Sequence, residues 1–199
     1  MSKRAVIVVD IQNEYFASGK LPLVNIEQAA AKAAQVIDAA RQNKDLLVHV
    51  HHEFPDPNAP VFTPGSDGIN IHESVAPEGD EPVILKNYPN SFLKTNLKEL
   101  LDANDIEEVV VIGAMSHMCI EATSRAASDF GYKVTVLEDA CATMDLEFNG
   151  VKVPAAHVHA TAMAALGFAY ASVLNADRLE AFKPVVSRVS LDQGTSHTH

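Results

Sequence analysis

One pattern constrains the fold more than any other feature of the chain. Short apolar runs rich in β-branched residues alternate with longer segments whose apolar residues recur at helical spacing. Such runs are typical of strands in a parallel sheet whose two faces are covered by helices. Residues 5–9 form the first run, and the spacing predicts a helix over 26–40, with Asn25 as its N-cap and Gln28 at the third helical position. The pattern predicts a Rossmann-like three-layer α/β/α fold with a six-stranded parallel sheet.

The remaining elements follow from the same pattern. Further strands are predicted over 46–51, 82–86, 109–112, 133–137 and 171–174, each bounded by Gly, Pro, Asn or Asp. Helices are predicted over about 117–130, ending at Gly131, and over 153–166, with Pro154 in the first turn. We expect residues 1–199 to form a single domain, whose polar tail at 183–199 is either frayed or docked on a neighbouring subunit.

A long irregular segment separates the second and third predicted strands. Residues 53–81 carry five of the ten prolines and three of the nine glycines. Loops of this length inside a compact domain usually cover an active site or make a subunit contact.

Charge and hydropathy exclude several classes of protein. The net charge of −11 and the absence of a basic run argue against binding to nucleic acid or to an anionic membrane. No apolar stretch is long enough to span a bilayer, and the residues before the first strand contain no cleavage site, so we expect a cytoplasmic protein. In a reducing compartment the two cysteines, Cys119 and Cys141, are expected to be free thiols.

Three polar residues fall at the carboxyl ends of predicted strands, where parallel α/β sheets bind their ligands. Asp10 follows the first strand, Lys86 ends the third, and Cys119 lies after the fourth at the start of a helix. Taken singly, these residues are compatible with a loop cap or metal ligand, a solvated strand end and a small core residue. Together they indicate an activated nucleophile, because a helix N-terminus and an ammonium favour thiolate over thiol and a carboxylate can accept or return the proton.

An ordered set of motifs resembles the isochorismatase-like cysteine hydrolases over residues about 4–175. The motifs are Asp-Ile-Gln-Asn-Glu-Tyr-Phe at 10–16, Lys86 with Asn-Ser-Phe at 90–92, Gly-Ala-Met-Ser-His-Met-Cys at 113–119, Asp-Ala-Cys-Ala-Thr at 139–143 and Val-His-Ala at 158–160. The resemblance implies a six-stranded parallel sheet and a homo-oligomer, here a dimer or tetramer. It also implies a catalytic triad of Asp10, Lys86 and Cys119, a cis peptide between Ala114 and Met115, and an oxyanion hole formed by the Met115 and Cys119 amides.

Two departures narrow the expected chemistry. Family members that cleave the vinyl ether of isochorismate lack the nucleophilic cysteine, so Cys119 indicates an amide-type C–N bond. Nicotinamidases of the family bind a metal through an Asp-x-His pair and a later His. Here His49 and His51 would share one face of a strand, but the Asp is missing, and the alternative is that these histidines pack or form hydrogen bonds under the long loop. No metal and no cofactor are therefore predicted.

Several other residues are candidates for substrate binding. Phe16 is expected to stack on the substrate, and Gln12 either contacts it or orients the Asp10 carboxylate. His117 either shapes the pocket or lies on the surface, and Cys141, with no basic neighbour in sequence, is expected to be a packed small residue.

The expected function is hydrolysis of a C–N bond in a small molecule through a thioester on Cys119. The alternatives are an ester or ureido hydrolase that uses the same triad, and a silent binding or redox-sensing homologue. The identity of the substrate does not follow from the sequence.

Overall fold

The computed structural model describes residues 2–178 and contains a central sheet of six parallel strands. The strands are β1 (Arg4–Val9), β2 (Leu46–His52), β3 (Val83–Lys86), β4 (Glu108–Ala114), β5 (Lys133–Ala142) and β8 (Ser172–Leu174). Their order in the sheet is β3-β2-β1-β4-β5-β8, and every neighbouring pair is parallel. A separate antiparallel hairpin is formed by β6 (Leu146–Phe148) and β7 (Val151–Val153).

Helices cover both faces of the sheet, which confirms the predicted three-layer α/β/α fold. The helices are α1 (Ile26–Asn43), α2 (Leu97–Ala103), a π-helical turn (Ser116–Ile120), α3 (Glu121–Asp129) and α4 (Ala155–Ala169). Alternate residues of β1 and β4 point into two hydrophobic cores, one packed against helix α1 and the other against helices α2, α3 and α4. No helix among residues 2–178 is long and apolar enough to cross a membrane.

The structure differs from the sequence prediction at several boundaries. Helix α1 begins at Ile26 as expected, with Asn25 at the predicted N-cap position, but the φ of Asn25 is 62° and its side chain makes no capping hydrogen bond. Helix α4 begins after Pro154, and helix α2 and the β6–β7 hairpin were not predicted. The segment 53–81 is irregular except for two short 3-10 turns, and the tail at 183–199 lies outside the described residues.

The strand order places the ends of four strands side by side. Strand β1 pairs with β2 and with β4, and β2 pairs with β3, so their carboxyl ends meet at one edge of the sheet. His52 of β2 is in register with Lys86 of β3 at this edge. The residues that end or follow these strands are thereby brought together, although more than 100 positions separate Asp10 from Cys119 in the sequence.

Candidate active site

The three predicted catalytic residues meet at this edge of the sheet. Lys86 Nζ lies 2.8 Å from Asp10 Oδ2 and 3.4 Å from Cys119 Sγ. Asp10 and Lys86 are 1% exposed and Cys119 is 7% exposed, so the charges interact where water screens them little. A carboxylate, an ammonium and a sulfur therefore share one buried cluster.

Asp10 leaves the sheet in an unusual backbone conformation. Its φ is 57°, in the left-handed region that Asp adopts more readily than most non-glycine residues. Its amide donates a hydrogen bond to the Val50 carbonyl at 2.9 Å, which ties the residue to β2. Non-glycine residues in this region tend to cluster at functional sites, where the surrounding structure holds them.

Lys86 is surrounded by three acceptors. Besides Asp10 and Cys119, its ammonium donates to His52 Nδ1 at 3.1 Å. Burial lowers the pKa of Lys86, but the Asp10 charge and the hydrogen bonds to Asp10 and Cys119 outweigh burial, so the pKa is raised overall and the side chain stays cationic.

His52 is a site residue that the sequence analysis did not identify. Burial and the neighbouring Lys86 charge lower its pKa to about 4, so at neutral pH the imidazole is uncharged and can accept the Lys86 hydrogen bond. Its role follows from its register with Lys86 on the adjacent strand. This register can be known only when the pairing of β2 with β3 is known.

The Cys119 thiol does not favour the thiolate at rest, contrary to the expectation from the helix terminus and the ammonium. Burial and then Asp10 raise its pKa well above the ordinary value, and Lys86 only partly opposes them. The resting site is therefore an ion pair beside a neutral thiol.

The segment 115–119, called the nucleophile loop below, leads from β4 to Cys119. The peptide bond between Ala114 and Met115 is cis, at the position that the resemblance implied. The Met115 carbonyl accepts hydrogen bonds from the amides of Met118 and Ile120, at 3.0 and 3.2 Å, and these residues lie on either side of Cys119. The second of these bonds spans five residues, as in a π-helical turn, a local widening often found at functional sites.

Gly113 allows the nucleophile loop to begin close to β1. Its φ is 128°, and a Cβ built at this position would lie 1.9 Å from the Val9 carbonyl oxygen. Only glycine fits between the two central strands at this point.

The residues predicted to contact substrate occupy different surroundings. Gln12 is fully buried, and its amide bonds to the His52 amide and to the His52 and Ile69 carbonyls, so it joins β2 to the long loop and is not open to a ligand. Phe16 is 6% exposed and stacks on His72, with ring centroids 3.7 Å apart. His117 is half-buried, and its Nδ1 lies 2.7 Å from the Thr143 hydroxyl. Substrate contacts by Phe16 and His117 remain predictions.

Glu14 organises the loops around the cluster and was not identified from the sequence. Its buried carboxylate accepts hydrogen bonds from the Lys20 amide at 2.8 Å and from the Phe62 amide at 2.6 Å. The adjacent Tyr15 packs edge-on against Phe62, and burial, followed by Asp10, Cys119 and Glu14, raises its hydroxyl pKa. Glu14 thus fastens the segment after Asp10 to the long loop.

The histidines of β2 are not arranged as a metal site. His49 is buried, and its Nε2 lies 3.0 Å from Glu81 Oε1 under the long loop, whereas His51 is half-exposed. Within the part of the chain that the structure describes, no group of three or more His, Cys, Asp or Glu side chains could hold a metal ion. His49 therefore has the hydrogen-bonded role that was the alternative to metal binding.

Cys141 lies in a different environment from Cys119. It is buried in β5, its sulfur contacts the Leu137 carbonyl at 3.4 Å, and burial raises its pKa to about 12. Together with Glu138, Thr143 and His159 it lines a cavity of about 470 Å³. Among the described residues that line this cavity there is no member of the triad.

Comparisons with known proteins identify the family of the chain. The Isochorismatase domain family matches residues 4–177. The uncharacterised isochorismatase family protein YddQ of Bacillus subtilis is 47% identical over 169 residues, which cover 85% of this chain and 94% of the relative. A maleamate amidohydrolase of Pseudomonas putida is 28% identical over 151 residues, which cover 69% of this chain and 71% of the relative.

A solved structure extends the likeness to three dimensions. The crystal structure from Oleispira antarctica described as an isochorismatase hydrolase has a TM-score of 0.86 to this chain at 52% identity, covering 89% of this chain and 96% of the other. The family match over most of the sequence and the shared fold lead to one conclusion: this chain belongs to the isochorismatase family of hydrolases.

Proposed function

We propose that the protein hydrolyses an amide-type C–N bond of a small molecule through a thioester on Cys119. The observation that carries the proposal is the buried cluster in which Lys86 Nζ lies 2.8 Å from Asp10 Oδ2 and 3.4 Å from Cys119 Sγ. A nucleophile next to a group that can remove its proton is the arrangement that covalent catalysis requires.

The first half-reaction is acylation of the sulfur. Because the resting thiol is neutral, the Asp10 carboxylate takes its proton as the sulfur attacks the substrate carbonyl. The amides of Met115 and Cys119 donate to the oxyanion that forms on the carbonyl oxygen. The C–N bond then breaks, and the protonated Asp10 gives its proton to the leaving nitrogen, which departs as an amine or ammonia.

The second half-reaction releases the acid. Asp10, again a carboxylate, takes a proton from water as the water oxygen attacks the thioester carbon. The C–S bond breaks and the sulfur recovers the proton from Asp10, which restores the resting site. Throughout the cycle Lys86 balances the negative charge that moves between the carboxylate and the sulfur.

The relatives support the choice of a C–N bond. The maleamate amidohydrolase is named for this type of reaction, and its alignment covers 69% of this chain at 28% identity. The cluster itself is suited to any acyl substrate, because the leaving group interacts with Asp10 and not with the sulfur, so esters and ureido compounds belong in the same screen.

The test is turnover of a panel of small primary amides, carbamoyl compounds and esters, followed by release of ammonia or acid. We expect the wild-type protein to release ammonia from at least one amide, with Cys119→Ala inactive but folded and Cys141→Ala as active as wild type. Mass spectrometry of protein quenched during turnover is expected to show an acyl adduct on Cys119. Activity retained by Cys119→Ala would refute the proposal, as would a wild-type protein that turns over no member of the panel.

A further inference from the structure

A second chain of hydrogen bonds ends on the nucleophile loop. Ser116 Oγ lies 2.7 Å from His159 Nδ1, and His159 Nε2 lies 3.1 Å from Glu138 Oε2. The three side chains come from the π-helical turn, from α4 and from β5. We propose that Ser116, His159 and Glu138 form a relay that positions the nucleophile loop for acyl transfer, with His159 as a positioning residue.

The direction of each hydrogen bond follows from the chemistry of the partners. The Glu138 carboxylate is an acceptor, so His159 donates through Nε2–H. In the neutral ring Nδ1 is then the acceptor, and the Ser116 hydroxyl donates to it. Ser116 is fully buried, so its hydroxyl has no access to bulk water as a substitute partner.

The place of Ser116 in the chain links the relay to catalysis. It directly follows Met115, whose amide is the proposed oxyanion donor, and precedes the nucleophile Cys119 by three residues. Helix α4 packs against the π-helical turn and supplies a rigid support for His159. A second hydrogen bond, between His117 and Thr143, holds the same loop and reaches the residue that directly follows β5.

The relay acts through geometry and not through contact with the reacting atoms. Ser116 is fully buried, which argues against its use as a second nucleophile. Small displacements of groups that line up reacting atoms can reduce a rate by about 100-fold. Loss of the relay is therefore expected to lower kcat and to leave substrate binding nearly unchanged. This inference rests on the proposed function, since it assigns the relay to the oxyanion-forming step.

Two substitutions of His159 separate its two hydrogen bonds. In His159→Asn the amide oxygen takes the place of Nδ1 and keeps the partner of Ser116, whereas in His159→Gln the amide nitrogen takes the place of Nε2 and keeps only the partner of Glu138. We expect His159→Gln to lower kcat by about 10- to 100-fold with KM within about twofold of wild type. His159→Asn keeps the acceptor for Ser116 on the nucleophile loop and loses only the support from Glu138, so it is expected to stay within about threefold of wild type in both. The matched control is His157→Asn, on the exposed side of the same helix, which is expected to behave as wild type.

A second readout distinguishes a lost oxyanion donor from a disrupted site. Alkylation of Cys119 by iodoacetamide forms no oxyanion, so its rate is expected to be unchanged in His159→Gln and in Ser116→Ala, although both lose kcat. The double variant that combines His159→Gln with Ser116→Ala is expected to be no slower than either single variant. All three proteins lack the same hydrogen bond, between Ser116 and His159.

Three results would overturn the relay. They are a wild-type kcat in His159→Gln, an equal loss in His159→Asn and His159→Gln, or parallel losses of kcat and of Cys119 alkylation. If His159→Gln does not fold, Ser116→Ala gives the same comparison of kcat with alkylation. A wild-type protein without any turnover refutes the proposed function and the relay with it, whereas an active wild type with an unaffected His159→Gln refutes the relay alone.

Discussion

Lys86 and Asp10 form an ion pair of 2.8 Å in which each residue is 1% exposed. Charges this far from water are costly to bury, and they are tolerated only while each has its partner. Loss of either charge is therefore expected to lower the stability of the sheet edge that holds the pair.

Removal of one partner is expected to damage folding as well as activity. Lys86→Met leaves the Asp10 carboxylate buried without a counter-charge, and we expect a loss of about 3–5 kcal/mol in the free energy of unfolding. The double variant Asp10→Asn with Lys86→Met removes both charges and is expected to recover at least about half of that loss, while remaining inactive. Urea denaturation of the two proteins gives the comparison, and a double variant no more stable than Lys86→Met would contradict the coupling.

The stability of the protein is expected to fall between pH 7 and pH 5, in part because of His52. Its pKa is about 4 in the folded protein and close to 6.5 in the unfolded chain, so in this window the unfolded state binds a proton that the folded state does not. The contribution of His52 to the decrease is roughly 1–2 kcal/mol. Burial also lowers the pKa of His49 and of His117, which act in the same direction.

The variant His52→Asn isolates this contribution, since its amide oxygen can still accept from Lys86. We expect the difference in unfolding free energy between pH 7 and pH 5 to shrink in His52→Asn and to be unchanged in His157→Asn. Glu81, whose pKa is lowered to about 2 by Arg41, affects stability only as the pH falls from about 4.5 towards 2, outside this window. An unchanged pH dependence in His52→Asn would show that His52 is not held neutral by the fold.

Asp10→Asn is expected to separate the reactivity of the thiol from catalysis. The Asp10 charge raises the pKa of Cys119 and the Lys86 charge lowers it, so without the carboxylate the sulfur becomes the counter-ion of Lys86. We expect iodoacetamide to label Cys119 several-fold faster at pH 7 in Asp10→Asn than in wild type, while hydrolysis is lost because the proton carrier is gone.

Mass spectrometry after limited labelling measures this effect at each cysteine. Cys141, whose pKa is raised to about 12 by burial, is the internal control and is expected to stay unlabelled in both proteins. Slower labelling of Cys119 in Asp10→Asn would mean that the carboxylate promotes ionisation of the resting thiol.

Two glycines are expected to respond oppositely to substitution by alanine. A Cβ at Gly68 would lie 2.7 Å from the Glu14 carboxylate, which cannot move without breaking its bonds to the Lys20 and Phe62 amides. We expect Gly68→Ala to lower the unfolding free energy by about 1–3 kcal/mol. At Gly167 in α4 the Cβ would meet only Val173, at 3.6 Å, so Gly167→Ala is expected to raise it by about 0.5–1 kcal/mol. Thermal unfolding of both variants checks the two signs, and a neutral Gly68→Ala would mean that Glu14 is not fixed in place.

The sequence pattern was sufficient to locate Asp10, Lys86 and Cys119 because each ends or follows a strand that can be predicted from its own residues. Residues 5–9 are a continuous apolar run, and the fold rule that ligands bind at strand carboxyl ends supplied the rest. By contrast, the role of His52 depends on which strand lies beside β3, and that of His159 on how α4 packs against the nucleophile loop. Such relationships between distant segments have no local signature.

Other features were missed for different reasons. The strands of the β6–β7 hairpin have three residues each, too few for periodicity, although Asn149-Gly150 between them is a strong hairpin turn signal and both residues have positive φ. The protonated state of Cys119 depends on a balance between burial and two opposite charges. Charges can be read from a sequence, but the depth of burial that decided the balance cannot.

The placement of β1 in the middle of the sheet has a consequence for how the buried cluster assembles during synthesis. Asp10 leaves the ribosome well before one neighbour of its strand, β4, which lies more than 90 residues later, and Cys119 follows that strand. A nascent chain that does not yet extend past Cys119 by the length of the exit tunnel lacks every means of assembling the cluster. The cluster therefore forms late and all at once, and premature termination before Cys119 leaves a polypeptide that lacks it.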